Sequence, residues 1–317
     1  MGAYLVRRTI STIVLLYLII TVVFLLLHLL PGDPALAVLG GIDANPSPED
    51  VAQVRERLGL DRPLYVQYFD YLGNIVRLDF GESFVNGRSV SSDIATRLPR
   101  TMMIIVPAII VAVLVGMPLG IIAARYRQSV VDPMVSSIAL LGFSVPVFVI
   151  GLLLVYLFSI QLGWLPANGY IDPRDDFPEF LKRATLPIVS LSLGPMALTM
   201  RMTRSSMLEQ LGLDYVRTAR SKGLSELTTL YRHVLRNALL PIVTIVALQF
   251  GAMFAGSVLV ESIFNWPGVN AYLLTAIGVR DYPVVQGVVA VVASIFVLIN
   301  FLTDISFAFF DPRIRHD

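Results

Sequence analysis

Cysteine is missing from this 317-residue chain, which removes disulfide frameworks, thiolate metal sites and cysteine nucleophiles together. Histidine is nearly missing too. His28, His233 and His316 stand far apart in sequence, which argues against a His-based metal cluster and a Ser-His-Asp arrangement. Charge is scarce: 15% of residues are Asp, Glu, Lys or Arg, against roughly 25% in soluble domains. The net charge of +1 offers no basic field for nucleic acid and no acidic tail. Lysine is confined to Lys182 and Lys222, and no G-x-x-x-x-G-K-S/T loop occurs, so this chain is not expected to hydrolyse ATP itself. The paired acids Asp175-Asp176 read as a solvated turn. No set of residues suggests catalysis, a bound cofactor or a metal.

What the chain has in quantity is apolar sequence, 56% of its residues, with a mean hydropathy of +0.73. Six segments can cross a hydrocarbon core: Thr9–Leu30, Thr101–Ala124, Pro133–Ile160, Leu186–Met200, Ala238–Glu261 and Val284–Phe310. A core of about 30 Å takes roughly 20 helical residues. The fourth segment is short and carries Pro187, Gly194 and Pro195, so a broken span facing protein neighbours is expected there. Arg7 and Arg8 before the first segment resemble the flank of a cleaved leader. Its apolar stretch is longer than the roughly 7–15 residues of a leader core, and it is kept as a span. The expected organisation is an N-terminus and first span at 1–30, a helical outer loop at 31–100, a five-helix core at 101–310 and a tail at 311–317.

Basic residues set the expected orientation. With the N-terminus inside, the inner segments hold Arg7, Arg8, Arg125, Arg127, Arg201, Arg204, Arg217, Arg220, Lys222, Arg232, Arg236, Arg313 and Arg315, thirteen in all. The two short outer loops hold four: Arg174, Lys182, Arg183 and Arg280. Residues between Pro31 and Arg100 carry little weight, because loops longer than about 60 residues cross largely regardless of charge. Both termini are therefore expected on the cytoplasmic side.

Two polar stretches carry local signals. In the outer loop, Ser47-Pro48-Glu49-Asp50 is a helix start, with Ser at the N-cap and acids in the first turn. That helix should stop near Gly59. A second should begin around Pro63, with Leu64, Tyr65, Tyr68, Phe69, Leu72, Ile75 and Val76 at helical spacing. This stripe either contacts a partner or lies on the membrane or the chain's own outer ends. The other stretch, Ser205 to Asn237, predicts one amphipathic helix over Leu208–Ser221 and another over Leu224–Arg236, with Gly223 turning the chain and Ser225 as a cap. Tyr215, Val216 and Ala219 share one side. Such a pair suits docking into a groove on a soluble subunit. A solvated loop that merely anchors sidedness fits the charge pattern equally well.

The stretch DYVRTARSKGLSELTTLYRHVLRNALLP (Asp214–Pro241) resembles the cytoplasmic coupling loop of ABC-importer permeases, in the branch that takes up peptides and has nickel-uptake relatives. Aligned on Gly223, that loop's E-A-A positions fall on Arg217, Thr218 and Ala219, and its later I-x-L-P positions on His233, Val234, Leu235 and Arg236. Both departures match the peptide branch better than sugar importers. Further resemblances run in order along the chain: LLPGDPA (Leu29–Ala35), LGLDRPLYVQY (Leu58–Tyr68), DFGESF (Asp79–Phe84), RLPRT (Arg97–Thr101), LGWLP (Leu162–Pro166), LQFGAMFAGSVLVESIFNWPG (Leu248–Gly268), RDYPVVQG (Arg280–Gly287) and DPRIR (Asp311–Arg315).

The resemblance implies an all-α polytopic membrane protein with six spans, the type I ABC-importer permease fold and a helical extracytoplasmic loop. It implies a non-enzymatic subunit of the bacterial inner membrane. Its partners would be a homologous second permease, two cytosolic ATPases that bind ATP and Mg, and an extracytoplasmic substrate-binding protein. The coupling residues would include Asp214, Tyr215, Arg217, Thr218, Ala219, Arg220, Lys222, Gly223, His233, Leu235 and Arg236. The implied cargo is a di- or oligopeptide, with nickel chelates, glutathione and opines as alternatives.

Polar residues within the spans usually face protein or a pathway. His28 is expected at the outer boundary. Gln249, Ser257, Asn300 and Asp304 are candidates for the translocation path or the permease–permease seam, with Asp304 also suited to pairing with a neighbouring helix. Trp266-Pro267-Gly268 predicts a turn with an interfacial tryptophan. An ion-coupled carrier would place ionisable groups at midplane and carry internal repeats; neither is evident. A non-transporting scaffold would need neither a broken fourth span nor small-residue helices.

Overall fold

The computed structural model describes residues 2–29, 34–39, 46–130, 133, 134, 137, 142 and 144–310. The His28 side chain, most of LLPGDPA, much of the start of the third expected span and the tail with DPRIR lie outside the described residues. Among those described, the chain is helical, with a single isolated bridge between Glu82 and Ser89. Four helical stretches are long and apolar enough to cross a membrane: Val6–Leu25, Val90–Arg125, Glu226–Ile263 and Tyr282–Ile305. Two compact units organise the chain, one of 1–101 with 267–301 and one of 102–266 with 302–317.

In the first unit, α1 (Gly2–Leu29) is followed by α2 (Pro34–Val38), α3 (Pro48–Arg57) and α4 (Leu64–Val76). Local chemistry sets α3. The Ser47 hydroxyl accepts from the Asp50 N–H at 3.1 Å, and Pro48 sits where a missing donor costs nothing. The chain leaves α3 through Gly59 at φ +66°. The aromatic stripe of α4 divides. Tyr68 and Tyr71 pack on Phe24 of α1 with ring centroids 5.3 and 5.4 Å away, and the Tyr68 and Thr21 hydroxyls lie 2.6 Å apart. Tyr65, Phe69 and Val76 stay exposed.

The first turns of α5 (Val90–Arg125) meet α11 (Val269–Gly278) and α12 (Tyr282–Phe310) around Val90, Ile94, Val269, Val284 and Val288. Here DFGESF and RDYPVVQG come together. The buried Asp281 carboxylate accepts from the Ser83 hydroxyl and from the Phe84 N–H at 3.0 Å. A Cβ on Gly287 would lie 2.9 Å from Phe80 Cβ, so only glycine fits that contact. Asp93, also buried, pairs with Arg88 at 3.0 Å and accepts from Tyr272 Oη at 3.2 Å. Burial, and then the Asp93 charge, push the Tyr272 phenol up to about 12.

The second unit holds the rest of α5, then α6 (Val147–Leu154) with a π-helical continuation Val155–Gln161, then α7 (Phe177–Leu211). Asp176 caps α7 by accepting from the Glu179 N–H at 2.9 Å, so half of the expected solvated acid pair is a helix cap. The expected break in the fourth span is absent: α7 runs for 35 residues through Pro187 and Pro195. Packing sustains it. Leu186, Ser190, Leu191, Ser192 and Ala197 are buried, and Ser190 and Ser192 donate to the Pro187 and Val189 carbonyls at 2.8 and 2.9 Å. Its neighbour-facing character is as expected, since α6 and the later helix Arg236–Ile263 pack on it.

Gly116 and Gly120 bring α5 against α7 so closely that a Cβ at either would lie 2.5 Å from the Met196 or Met200 carbonyl oxygen. Trp266 corrects another expectation. It is 1% exposed, with its ring against Tyr170 (5.0 Å) and Phe180 (6.0 Å), so it is a core residue of this unit. The preceding turn hides it: Asn265 takes φ +47° and the Trp266 N–H returns to the Glu261 carbonyl at 2.8 Å.

Candidate functional site in the polar helical knob

Two expected helices in the polar stretch are organised differently in the structure. α7 continues to Leu211 and ends at Gly212, so Leu208–Ser221 is not one helix. A separate short helix, α8 (Asp214–Ser221), follows. The chain turns at Gly223, φ +80°, where the Gly223 N–H reaches the Arg220 carbonyl at 2.9 Å. Ser225 then accepts from the Thr228 N–H at 3.2 Å and starts α9 (Glu226–Thr228). A π-helical turn, Thr229–Leu235, joins α9 to α10 (Arg236–Ile263), so the second knob helix and the fifth span are one continuous rod.

This knob has its own core. Val216 and Val234 are fully buried with Met207, Leu230, Ala238 and Ile242, against Ile121 and Ala124 at the end of α5. Burying one such valine stabilises by about 1.5–3 kcal/mol. The expected docking anchors are therefore corrected: Val216 and Ala219 face inward, and Tyr215 is half-buried with its Oη donating to Gln210 Oε1 at 2.9 Å. Leu235 joins the same cluster at its edge, and His233 is half-buried.

The outward surface is made by other residues. Leu213, Leu224, Leu227 and Tyr231 are exposed apolar side chains, interspersed with exposed Asp214, Arg217, Thr218, Arg220, Lys222 and Arg236. Arg220 holds Glu226 with two nitrogens at 2.8 and 3.2 Å, clasping the turn across Gly223. The Arg217–Asp214 pair at 3.4 Å is exposed and contributes little.

The intramembrane candidates sit in different settings. Gln249 is 6% exposed and its Nε2 donates to Thr199 Oγ1 of α7 at 3.2 Å. Ser257 is buried and donates to the Phe254 carbonyl at 3.0 Å. Asn300 donates to the Phe296 carbonyl at 2.9 Å, and Asp304 is half-buried.

Residues 116–316 match the model of the family described as binding-protein-dependent transport system inner membrane component, and residues 1–105 match the N-terminal model of the same systems. The chain belongs to this family. The glutathione transport system permease protein GsiC of Escherichia coli is 40% identical over 317 residues, covering 99% of each chain. The di/tripeptide transport system permease protein DppB of Pseudomonas aeruginosa is 41% identical over 313 residues, covering 92% of this chain and 93% of its own. An inward-facing structure of the MetNI methionine ABC transporter matches the fold with a TM-score of 0.56 at 16% identity, over 69% of this chain and 96% of that one.

This protein is thus a membrane-embedded permease subunit of an ABC importer, a role that implies ATPase and substrate-binding partners. Three features of the permease escaped the reading of its sequence. Asp281 and Asp93 lie in polar stretches where burial leaves no compositional trace. Glu261, fully buried in the last turn of α10, sits where a span boundary was expected. Gly116 and Gly120 do carry a signal, the G-x-x-x-G spacing that lets membrane helices touch.

Proposed function

We propose that this permease carries short peptides inward across a bacterial inner membrane, in a complex with a second, homologous permease, two ATPases and an extracytoplasmic binding protein. The two relatives described above are named for glutathione, itself a tripeptide, and for di- and tripeptides. We assign both termini and the 205–237 knob to the cytoplasmic side, on the distribution of arginine and lysine. ATP and Mg bind to the ATPase partners, and this chain acts without catalysis of its own. The path is assigned to the helices that carry Gln249, Ser257, Asn300 and Asp304.

One observation carries the coupling role. The knob is a folded body, continuous with α10 and packed on the ends of α5 and α7, yet it leaves Leu213, Leu224 and Leu227 outside among cations. A force applied to that surface moves membrane helices as rigid rods, the element an ATPase needs to switch access. The test is uptake of labelled dipeptide, tripeptide and glutathione into proteoliposomes holding the reconstituted complex. ATP-dependent accumulation that requires both the binding protein and the ATPases is expected. Accumulation by this chain alone, driven by an ion gradient, would overturn the proposal.

A further inference from the structure

Three arginines from separate parts of the second unit line one small recess. It measures about 120 Å³ and lies where the ends of α5 and α7 meet the knob. Ala124, Leu211 and Leu230 are its apolar lining, and Arg125, Arg127, Arg220 and Glu226 its polar lining. The cations are accessible. Arg125 and Arg127 are exposed, and neither pairs with a carboxylate among the described residues. The Arg125 guanidinium instead lies over the Tyr126 ring, 5.3 Å from its centroid. The Arg220 side chain is 43% exposed. It gives Nε and one Nη to Glu226 at 2.8 and 3.2 Å, which leaves its second Nη outside the clasp.

Sidedness alone accounts for basic residues scattered over an inner surface. It does not account for a concave lining that gathers guanidiniums from α5, the loop after it and α8. Like charges so gathered repel one another, and a bound anion relieves that repulsion. One carboxylate against three guanidiniums leaves the recess cationic.

Its position selects the anion. Arg125 is the last residue of the membrane-crossing stretch Val90–Arg125, and Tyr126 beside it is exposed. Aromatic and basic side chains together mark the headgroup level of a bilayer. Guanidinium groups bind phosphate through paired N–H donors. A water takes about 30 Å³ in the liquid, so the recess has room for about four water-sized groups, and a phosphodiester carries that number of oxygens. The cationic lining disfavours the ammonium of a zwitterionic headgroup and favours a headgroup whose one charge is its phosphate.

We propose that this recess binds the phosphate of an anionic phospholipid, held by Arg125, Arg127 and Arg220. The lipid would bridge the end of α5 to the knob beside the Gly223 turn. This site requires only that α5 crosses the membrane and is independent of the cargo.

The experiment places the complete transporter in nanodiscs of phosphatidylglycerol and phosphatidylcholine in equal parts, extracts it in mild detergent and measures the retained lipids by mass spectrometry. The wild type should retain phosphatidylglycerol in excess. Arg127→Gln should lower the ratio of the two lipids about fivefold, the value of one arginine at an anionic bilayer surface. The Arg125→Gln/Arg127→Gln double variant should bring it closer to one. Arg232→Gln, which removes an exposed charge of the same knob outside the recess, should leave the ratio unchanged. Equal retention of both lipids by the wild type overturns the site. So does an unchanged ratio in both recess variants, or an equal fall in Arg232→Gln, which would reduce the effect to a diffuse field. Displacement of the retained lipid by inorganic phosphate would assign the recess to a soluble phosphate and overturn the lipid. Loss of the ATPases from the double variant would overturn it too, by assigning the arginines to that partner's carboxylates.

Discussion

Replacing Gly120 with alanine should loosen the permease more than its one added methyl group suggests. The new Cβ would lie 2.5 Å from the Met200 carbonyl oxygen and 2.6 Å from Thr203 Cβ. Carbon–oxygen contacts of this kind relax to about 3.3 Å or more. No side-chain rotation relieves a clash with a backbone carbonyl, so α5 and α7 must separate locally by something on the order of 1 Å. Overpacking of this kind costs about 1–3 kcal/mol. Against it stands the helix propensity of alanine, which favours the substitution by about 0.5–1 kcal/mol. At the middle of both ranges sterics win, about 2 against about 0.75 kcal/mol, and a net loss of about 1 kcal/mol is expected. At roughly 2–4 °C per kcal/mol for a domain of about 150–250 residues, the apparent Tm of the detergent-purified complex should fall by about 2–4 °C. Gly116→Ala meets the Met196 carbonyl at 2.5 Å and should behave alike. The double variant should lose less than the sum, because helices already parted by one methyl accommodate the second. Gly73→Ala, in open space on α4, is the control and should be neutral or stabilising. A wild-type Tm in both α5 variants, or strict additivity in the double, would refute the close-contact reasoning.

Asp281→Ala should free the segment around Ser83 from the start of α12, since it removes a buried acceptor of two hydrogen bonds. Bonds to charged groups are worth about 1.5–3 kcal/mol, and faster limited proteolysis between residues 77 and 89 is the measurement. Gly223→Ala should weaken ATPase co-purification modestly, through left-handed strain of about 1–2 kcal/mol at φ +80° with no steric clash, whereas Gly223→Asn should be better tolerated.

The parts of this fold that were legible are those written in local chemistry. Ser47-Pro48 starts α3, Gly59 ends it, Pro63 precedes α4 and Ser225 caps α9, because each depends on neighbours within a few residues. The apolar runs gave the membrane helices but not their ends: α7 and α10 run past the hydrophobic window into the knob, where tertiary packing rather than apolarity sustains them. Proline suggested a break in α7 that packing against α6 and α10 prevents. In the knob, the position of the turn was readable from Gly223. Which face of α8 would be outward was not, because α8 is amphipathic either way and only the presence of Leu230 and Val234 decides that Val216 turns inward. Trp266 misled for a related reason, its aromatic partners Tyr170 and Phe180 lying far away in sequence.

The most direct test of the coupling claim is site-specific photocrosslinking from Leu227, exposed at the tip of the knob, in sealed cells that express the complete transporter. The account predicts an adduct with an ATPase subunit from position 227 and none with an ATPase from the exposed Phe69 of α4. An adduct between position 227 and the extracytoplasmic binding protein, or an ATPase adduct from position 69, would contradict it.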